Sequence, residues 1–271
     1  MLGCSIAFFG LLLSWLKVVG SDAWLLLVLL CTVTFLLLAL IPIRSGSRQS
    51  KFEFALMFVV VEFLRSTYPW GGFSWGLIAY SQNDGPIVKY SRLGGSALVA
   101  FLVVIIACLL AEGSRSRRKL EISICLSILF APLLISSAPS SGTLKVAVVQ
   151  GGVVPSNVPD MLRPQRVLDH HIAQTRAHKE LLRSASLVIW PENAAQIFDG
   201  ISDTQTTEIQ ATIDSIGVPF LVGAVVERTD LRGPLNAGIL WLPKVGQTQR
   251  YVKNHLVPFG EYIPLRKWLA N

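Results

Sequence analysis

Long apolar stretches without a single charged residue dominate the first half of the chain. Ala23–Ile43 runs for 21 residues and Leu93–Ala111 for 19 without Asp, Glu, Lys or Arg. A helix needs about 20 apolar residues to cross the hydrocarbon core of a bilayer. Hydrophobic residues make up 52% of the chain and charged residues only 15%, which excludes an ordinary soluble protein. The sequence therefore predicts a membrane-spanning α-helical region.

Residues 1–142 are interpreted as a transmembrane region of about five spans. The apolar segments that predict these spans are Leu2–Leu16, Ala23–Ile43, Phe54–Leu64, Leu93–Ala111 and Ile122–Leu144. The third segment carries Glu62, and Arg65 follows three residues later on the same helix face, so the two side chains could pair. The cysteines, interpreted as small buried hydrophobic residues, are Cys4, Cys31, Cys108 and Cys125.

Basic residues between the spans predict the orientation of the chain. Those between the second and third segments are Arg44, Arg48 and Lys51, and those between the fourth and fifth are Arg115, Arg117, Arg118 and Lys119. Two spans separate the clusters, so both face the same side, which the positive-inside rule assigns to the cytoplasm. Everything after residue 143 is then extracytoplasmic, and the protein is expected in a bacterial cytoplasmic membrane.

The charge distribution also bears on the class of partner. Residues 1–142 hold 11 Lys and Arg against 6 Asp and Glu, whereas residues 143–271 hold 13 against 11. The basic excess follows the apolar half of the chain, which indicates membrane topology rather than nucleic-acid binding. An aromatic and glycine-rich segment, Tyr68–Gly76, falls on the outer side in this topology. It is either an aromatic anchor at the headgroup level or a loop that contacts lipid.

Beyond residue 143 the pattern changes to strands alternating with helices. The predicted strands are Lys145–Gln150, Ser186–Trp190, Pro219–Val226, Leu235–Leu242 and Gln247–Lys253. A helix is predicted over Thr204–Ile216, and another where Leu168, Ile172, Ala173, Ala177 and Leu181 recur at helical spacing, with His170, His171 and His178 as solvated positions. This alternation, closed by a hairpin, is typical of a layered α/β domain.

Two polar residues stand at predicted strand ends, where α/β proteins usually build their sites. Glu192 follows the strand that ends at Trp190, and Lys253 ends the last strand. Either residue alone is more often a loop or solvated side chain than a catalytic one. A third candidate, Glu261, is the acid of the proline-bounded loop that follows His255, a histidine for which a structural hydrogen bond is expected.

Together these residues resemble the carbon–nitrogen hydrolase (nitrilase) superfamily and, more narrowly, the bacterial apolipoprotein N-acyltransferases. The motifs that carry the resemblance are Trp190-Pro191-Glu192-Asn193-Ala194, the run from Tyr251 to Glu261, Val149-Gln150-Gly151, Glu62-Phe63-Leu64-Arg65, Phe73-Ser74-Trp75 and Tyr80-Ser81-Gln82. The resemblance covers nearly the whole chain. It implies a nitrilase-like α-β-β-α sandwich over residues 143–271, here incomplete, following the multi-span region.

The resemblance also implies a reaction and roles for the candidate residues. In that family a Glu-Lys-Cys triad moves an acyl chain from phospholipid to the α-amine of a lipoprotein's N-terminal diacylglyceryl-cysteine. Glu192 matches the general base, Lys253 the stabiliser of the oxyanion, and Glu261 a further acid. No metal or organic cofactor is implied.

The nucleophile is missing from these residues, because no cysteine occurs after residue 142. The family's cysteine and last helix lie further along than Asn271, so the chain is expected to be truncated and inactive or unstable by itself. A complementing chain could supply the cysteine. Two alternatives stay open: a membrane-anchored nitrilase-type amidase acting on small amides, and an inactive or split-gene remnant.

Overall fold

The structure is a computed structural model. The residues that it describes are 1–40, 47–111, 118–136, 139–152, 159, 162–198, 204–228, 233–258 and 260–263. Contacts divide the chain into two compact units, of which the first is Met1–Ala138 with Pro258–Asn271 and the second is Pro139–Val257. Arg44, Arg115 and Arg117 of the basic clusters lie outside the described residues.

The first unit is helical where it is described. Its α-helices are α1 (Leu2–Leu12), α2 (Ser21–Leu36), α3 (Arg48–Thr67), α4 (Ser91–Ala111) and α5 (Arg118–Phe130). A helix therefore forms in each of the predicted apolar segments. Two stretches, Ser21–Leu40 and Pro86–Ala111, are long and apolar enough to cross a membrane, with mean hydropathies of 2.7 and 2.8.

The fifth predicted segment is helical over only part of its length. Helix α5 ends at Phe130 and continues as a single 3₁₀ turn, Ala131–Leu134. Pro132 lies in that turn, and a proline cannot donate the backbone hydrogen bond that would extend an α-helix. The chain from Pro139 onward is described without regular structure until residue 146.

The described residues of the basic clusters lie on helices rather than in loops. Lys51 is on the first turn of α3, which begins where the Ser47 side chain accepts a hydrogen bond from the Ser50 amide. Its Nζ lies 2.9 Å from Oε1 of Glu121 on α5, and both side chains are only 5% exposed. Lys51 is thus held in a buried ion pair that joins two helices.

The second unit is an α/β layer. Its strands are β1 (Val146–Val148), β2 (Leu187–Phe198), β3 (Phe220–Glu227), β4 (Leu235–Leu242) and β5 (Gly246–Val252). Its helices are α6 (Arg163–Ala177), α7 (Lys179–Leu182) and α8 (Thr204–Ile216). The predictions of α8, β3 and the β4–β5 hairpin are confirmed to within a residue or two at each end.

The strands form one sheet in the order β1-β2-β3-β4-β5 within the described residues. β1, β2 and β3 run parallel, and β4 and β5 follow as antiparallel neighbours. Alternate residues of β3 are buried on one face, where they join α6 and α8 in a single apolar core. The α/β layer is as predicted, whereas the second sheet of a sandwich stays a prediction.

The buried face of α6 differs from the prediction. Leu168 and Ile172 are buried as expected, but Ala173 and Ala177 are exposed, as is Leu181 on α7, and His171 is buried. His171 Nδ1 lies 2.7 Å from the Val167 carbonyl oxygen, and its ring approaches Gly151, where even a Cβ would lie 2.6 Å from Nδ1. Burial lowers the pKa of the His171 imidazole, and His170 acts in the same direction, against the Val167 hydrogen bond. The solvated role predicted for His171 is therefore wrong.

Candidate active site

Glu192 does not follow a strand, as the sequence suggested, but lies inside one. β2 continues to Phe198, yet its pairing with β3 is interrupted: Trp190 pairs with Val222, and the next pair is Ala195 with Ala224. Between these two pairs, β2 therefore has three more residues than β3. A bulge of this kind bends the strand and re-aims a side chain, as often happens beside active sites.

The sequence of the bulge fits its backbone. Pro191 has no N–H to leave unpaired where the ladder breaks. Asn193 has a φ of 60°, in the left-handed region that asparagine tolerates better than most residues. Across the bulge on β3 is Gly223, where a Cβ would lie 2.3 Å from the Pro191 carbonyl oxygen. Only glycine lets the two backbones approach so closely.

The bulge reaches toward β4 and β5. Gly223 alternates with the buried residues of β3 and so lies on the sheet face away from the core. On that face Asn236 Nδ2 of β4 donates to Glu192 Oε1, and Lys253 Nζ lies 2.8 Å from the same oxygen. The Lys253 amide also donates to the Asn236 carbonyl oxygen at 2.8 Å. The second unit therefore brings Glu192, Asn236 and Lys253 together.

The cluster is open to solvent in the described residues. The Lys253 side chain is 29% exposed and the Glu192 side chain 55% exposed. A carboxylate and an ammonium in this geometry can accept a proton from one group and stabilise negative charge on another. None of the four cysteines lies in the second unit, since Cys4, Cys31, Cys108 and Cys125 are all on helices of the first.

Glu261 is placed differently from the other candidates. It lies exposed in a turn beside the bridge between Pro258 and Tyr262, in the segment that belongs to the first unit. Its part in the site stays a prediction. In the portion of the chain that the structure describes, no group of three or more His, Cys, Asp or Glu side chains could hold a metal ion.

The sequence motifs do not predict two residues of this site, Asn236 in the cluster and Gly223 beneath the bulge. Asn236 is a polar residue at the start of the otherwise apolar strand Leu235–Leu242, a signal that could have drawn attention to it. Gly223 lies in the middle of a strand, where glycine often marks the close approach of another backbone.

Known apolipoprotein N-acyltransferases are similar to this chain over most of its length. Residues 1–109 match the family model described as the apolipoprotein N-acyltransferase N-terminal domain. The chain is similar to the apolipoprotein N-acyltransferase of Mycolicibacterium smegmatis, with 31% identity over 69% of this chain and 37% of that relative. The Azotobacter vinelandii relative is 30% identical over 80% of this chain and 43% of its own length. The Aquifex aeolicus relative is 29% identical over 79% of this chain and 48% of its own length. The chain thus spans less than half the length of these curated relatives.

Proposed function

We propose that this chain, which belongs to the apolipoprotein N-acyltransferase family, contributes the general base and the oxyanion-stabilising lysine of a phospholipid-to-lipoprotein acyltransferase site. The observation that carries the proposal is the contact of Lys253 Nζ with Glu192 Oε1 at 2.8 Å. It joins the two residues whose motifs imply these roles, although 61 positions separate them in the sequence.

In the first half of the proposed reaction, Glu192 accepts the proton of a cysteine thiol. The thiolate attacks the acyl ester carbonyl of a phospholipid, and the tetrahedral oxyanion forms beside the Lys253 ammonium. When the intermediate collapses, the ester C–O bond breaks and the lysophospholipid oxygen takes the proton from Glu192. The acyl chain is left as a thioester on the cysteine.

In the second half the α-amine of a diacylglyceryl-cysteine attacks the thioester. Glu192 accepts a proton from the amine, Lys253 again stabilises the oxyanion, and the thiolate leaves as the amide forms. The cysteine itself is absent from residues 143–271. The proposal therefore assigns the thiol to protein outside this sequence, in a continuation of the chain or in a second chain.

A site with two lipid substrates has to lie at a bilayer surface. The apolar stretches Ser21–Leu40 and Pro86–Ala111 support a membrane location for residues 1–142. The basic clusters support a multi-pass arrangement in the cytoplasmic membrane with residues 143–271 outside. A cysteine introduced at the exposed position Val245 should then react with a membrane-impermeant maleimide on intact spheroplasts.

The reaction is tested in a complete protein that contains these residues and a cysteine-bearing partner segment. Transfer of a labelled acyl chain from phosphatidylethanolamine to a diacylglyceryl peptide is followed by mass spectrometry. We expect Glu192→Gln and Lys253→Met each to lower the rate by about 100-fold or more, because each removes a group that acts in the transition state.

Glu227→Gln is the matched control. Glu227 is a glutamate of the same sheet, on β3, but its hydrogen-bond donor is Gln196 and not Lys253. Its rate should stay within about threefold of the parent protein, as for a change outside the reacting groups. Full activity of Glu192→Gln would exclude the proposed base. Hydrolysis of small amides without any need for phospholipid would favour an amidase instead.

A further inference from the structure

We propose that Glu62 and Arg65 are positioning residues that clamp the loop after α3, so that its aromatic side chains form a preshaped docking surface for a phospholipid. This inference deepens the proposed function and rests on it for the nature of the lipid. The spacing of Glu62 and Arg65 predicts a pair of charges that could bind one another. Within the described part of the chain no ion pair joins these two side chains; each binds loop backbone instead.

Arg65 holds the middle of the loop. Its Nη1 donates to the carbonyl oxygens of Phe73 at 2.7 Å and Trp75 at 2.8 Å. The Arg65 carbonyl oxygen in turn accepts from the Phe73 amide at 2.7 Å. The guanidinium is buried, with the residue only 2% exposed. It faces the rings of Phe9 at 5.4 Å and Phe35 at 6.0 Å, which stabilise its charge.

Glu62 holds the far end of the same loop. Its Oε1 accepts a hydrogen bond from the Ile78 amide at 2.8 Å, and the residue is 5% exposed. Gly72 packs against the end of α3, where a Cβ would lie 2.1 Å from the Ser66 carbonyl carbon. The loop is therefore fastened at its middle and at its far end, and it cannot shift without breaking buried hydrogen bonds.

The clamp determines where the aromatic rings point. Phe73 packs into the apolar cluster of α1 and α2 around Phe9 and Cys31. Trp75 packs on Trp15 with ring centroids 5.0 Å apart, yet remains 59% exposed. Trp70 and Tyr80 of this region are also exposed. The loop thus combines an anchored side with an open aromatic side.

The occupant that fits this surface is a phospholipid at the level of its glycerol and headgroup. Tryptophan and tyrosine favour that level because their rings are apolar with one polar group. Trp15, the residue on which Trp75 packs, lies on the same 3₁₀ helix as Lys17, whose Nζ lies 4.2 Å from the centre of the Trp24 ring. A cation two residues along the chain from Trp15 complements a lipid phosphate.

The test uses the full chain in nanodiscs of phosphatidylethanolamine and phosphatidylglycerol. Hydrogen–deuterium exchange of the peptide that covers residues 68–82 reports the clamp. We expect Glu62→Ala and Arg65→Gln to raise the exchange rate of this peptide about tenfold or more, because exchange follows local opening. Glu62→Gln keeps an oxygen that accepts from Ile78 and should leave exchange within about threefold of the parent chain.

Matched controls on the same helix are Glu53→Ala and Arg48→Gln, because both residues are exposed at the other end of α3. They should change neither the exchange rate of this peptide nor its labelling by lipid.

The second measurement is labelling of the same peptide by a photoactivatable phosphatidylethanolamine in the nanodisc. It should fall at least threefold in Glu62→Ala and Arg65→Gln, while labelling of α2 stays constant and shows that the variants remain folded in the bilayer.

Unchanged exchange in Arg65→Gln and Glu62→Ala would overturn the clamp. Raised exchange with unchanged phospholipid labelling would overturn the docking surface. Neither the exchange rate nor the lipid labelling depends on Glu192 or on a cysteine. A failure of the proposed acyl transfer would therefore appear only in the rate assay, and the results of these two measurements would not change.

Discussion

A carboxylate–ammonium pair in the first unit can be compared with one in the second. Lys51 and Glu121 lie 2.9 Å apart, and Lys253 and Glu192 lie 2.8 Å apart. The side chains of the first pair are 5% exposed, whereas those of the second are 29% and 55% exposed. Nearly equal contact distances therefore occur in opposite surroundings: solvent is excluded from the pair that joins two helices and reaches the pair on the sheet.

The largest effect should come from breaking the buried pair. Glu121→Ala leaves the Lys51 ammonium without this carboxylate, and we expect a loss of about 3–5 kcal/mol in the free energy of unfolding. Unfolding by denaturing detergent, followed by circular dichroism, measures the change. The double replacement Lys51→Met with Glu121→Leu should recover most of the loss, because neither charge of the pair is then left buried.

The control for that experiment is Glu180→Ala, which removes an exposed ion pair with Arg183 at 3.0 Å. Exposed pairs contribute about 0–1 kcal/mol. If Glu121→Ala costs no more than Glu180→Ala, burial does not distinguish the two kinds of pair, and the comparison fails.

An intermediate effect should come from the glycine beneath the second pair. Gly223→Ala places a Cβ 2.3 Å from the Pro191 carbonyl oxygen, and such overpacking costs about 1–3 kcal/mol. Thermal unfolding of the full chain measures the change. Gly238→Ala is the matched control, because Gly238 is the direct partner of Gly223 on β4 and a Cβ there has no neighbour closer than 3.6 Å. Equal destabilisation by both would contradict the close approach of the bulge to β3.

The smallest effect on stability should come from the exposed pair itself. Glu192→Gln removes the charge that faces Lys253, and we expect the free energy of unfolding to change by about 0–1 kcal/mol. The same denaturant titration measures it. A loss as large as that of Glu121→Ala would mean that Glu192 serves the fold rather than the reaction.

Local patterns predicted much of the second unit. Helix α8 was expected over Thr204–Ile216 and forms there, because its apolar residues recur at helical spacing and no proline or glycine interrupts them. β4 was likewise expected over Leu235–Leu242 and observed there. In the candidate site, the strand before Lys253 was expected over Gln247–Lys253 and is observed over Gly246–Val252, so its end was predicted to within one residue.

The features that the sequence did not predict depend on contacts between distant segments. Pro191 predicts an end to β2, yet the strand resumes because Gly223, on another strand, leaves space for a bulge. His171 looked solvated on its helix, but the face of α6 that packs on the sheet includes it. Glu62 and Arg65 are correctly spaced to pair, yet the loop backbone supplies partners that a helical spacing rule does not consider.

Helix α4 has a consequence for membrane thickness. Gly94 and Gly95 interrupt it, with a φ of 61° at Gly95, so its regular part runs from residue 96 to 111. At 1.5 Å per residue that part is about 24 Å long, less than the roughly 30 Å of a typical hydrocarbon core. In a helix that crosses the bilayer, the irregular backbone then lies at a depth where lipid offers no hydrogen bonds. Gly94 and Gly95 are both exposed on the first unit, and the packing against Ile87 and Ala79 begins only at Val99. Such a helix matches a thin bilayer better than a thick one. The protein would therefore respond to the acyl-chain length of the lipids that surround it.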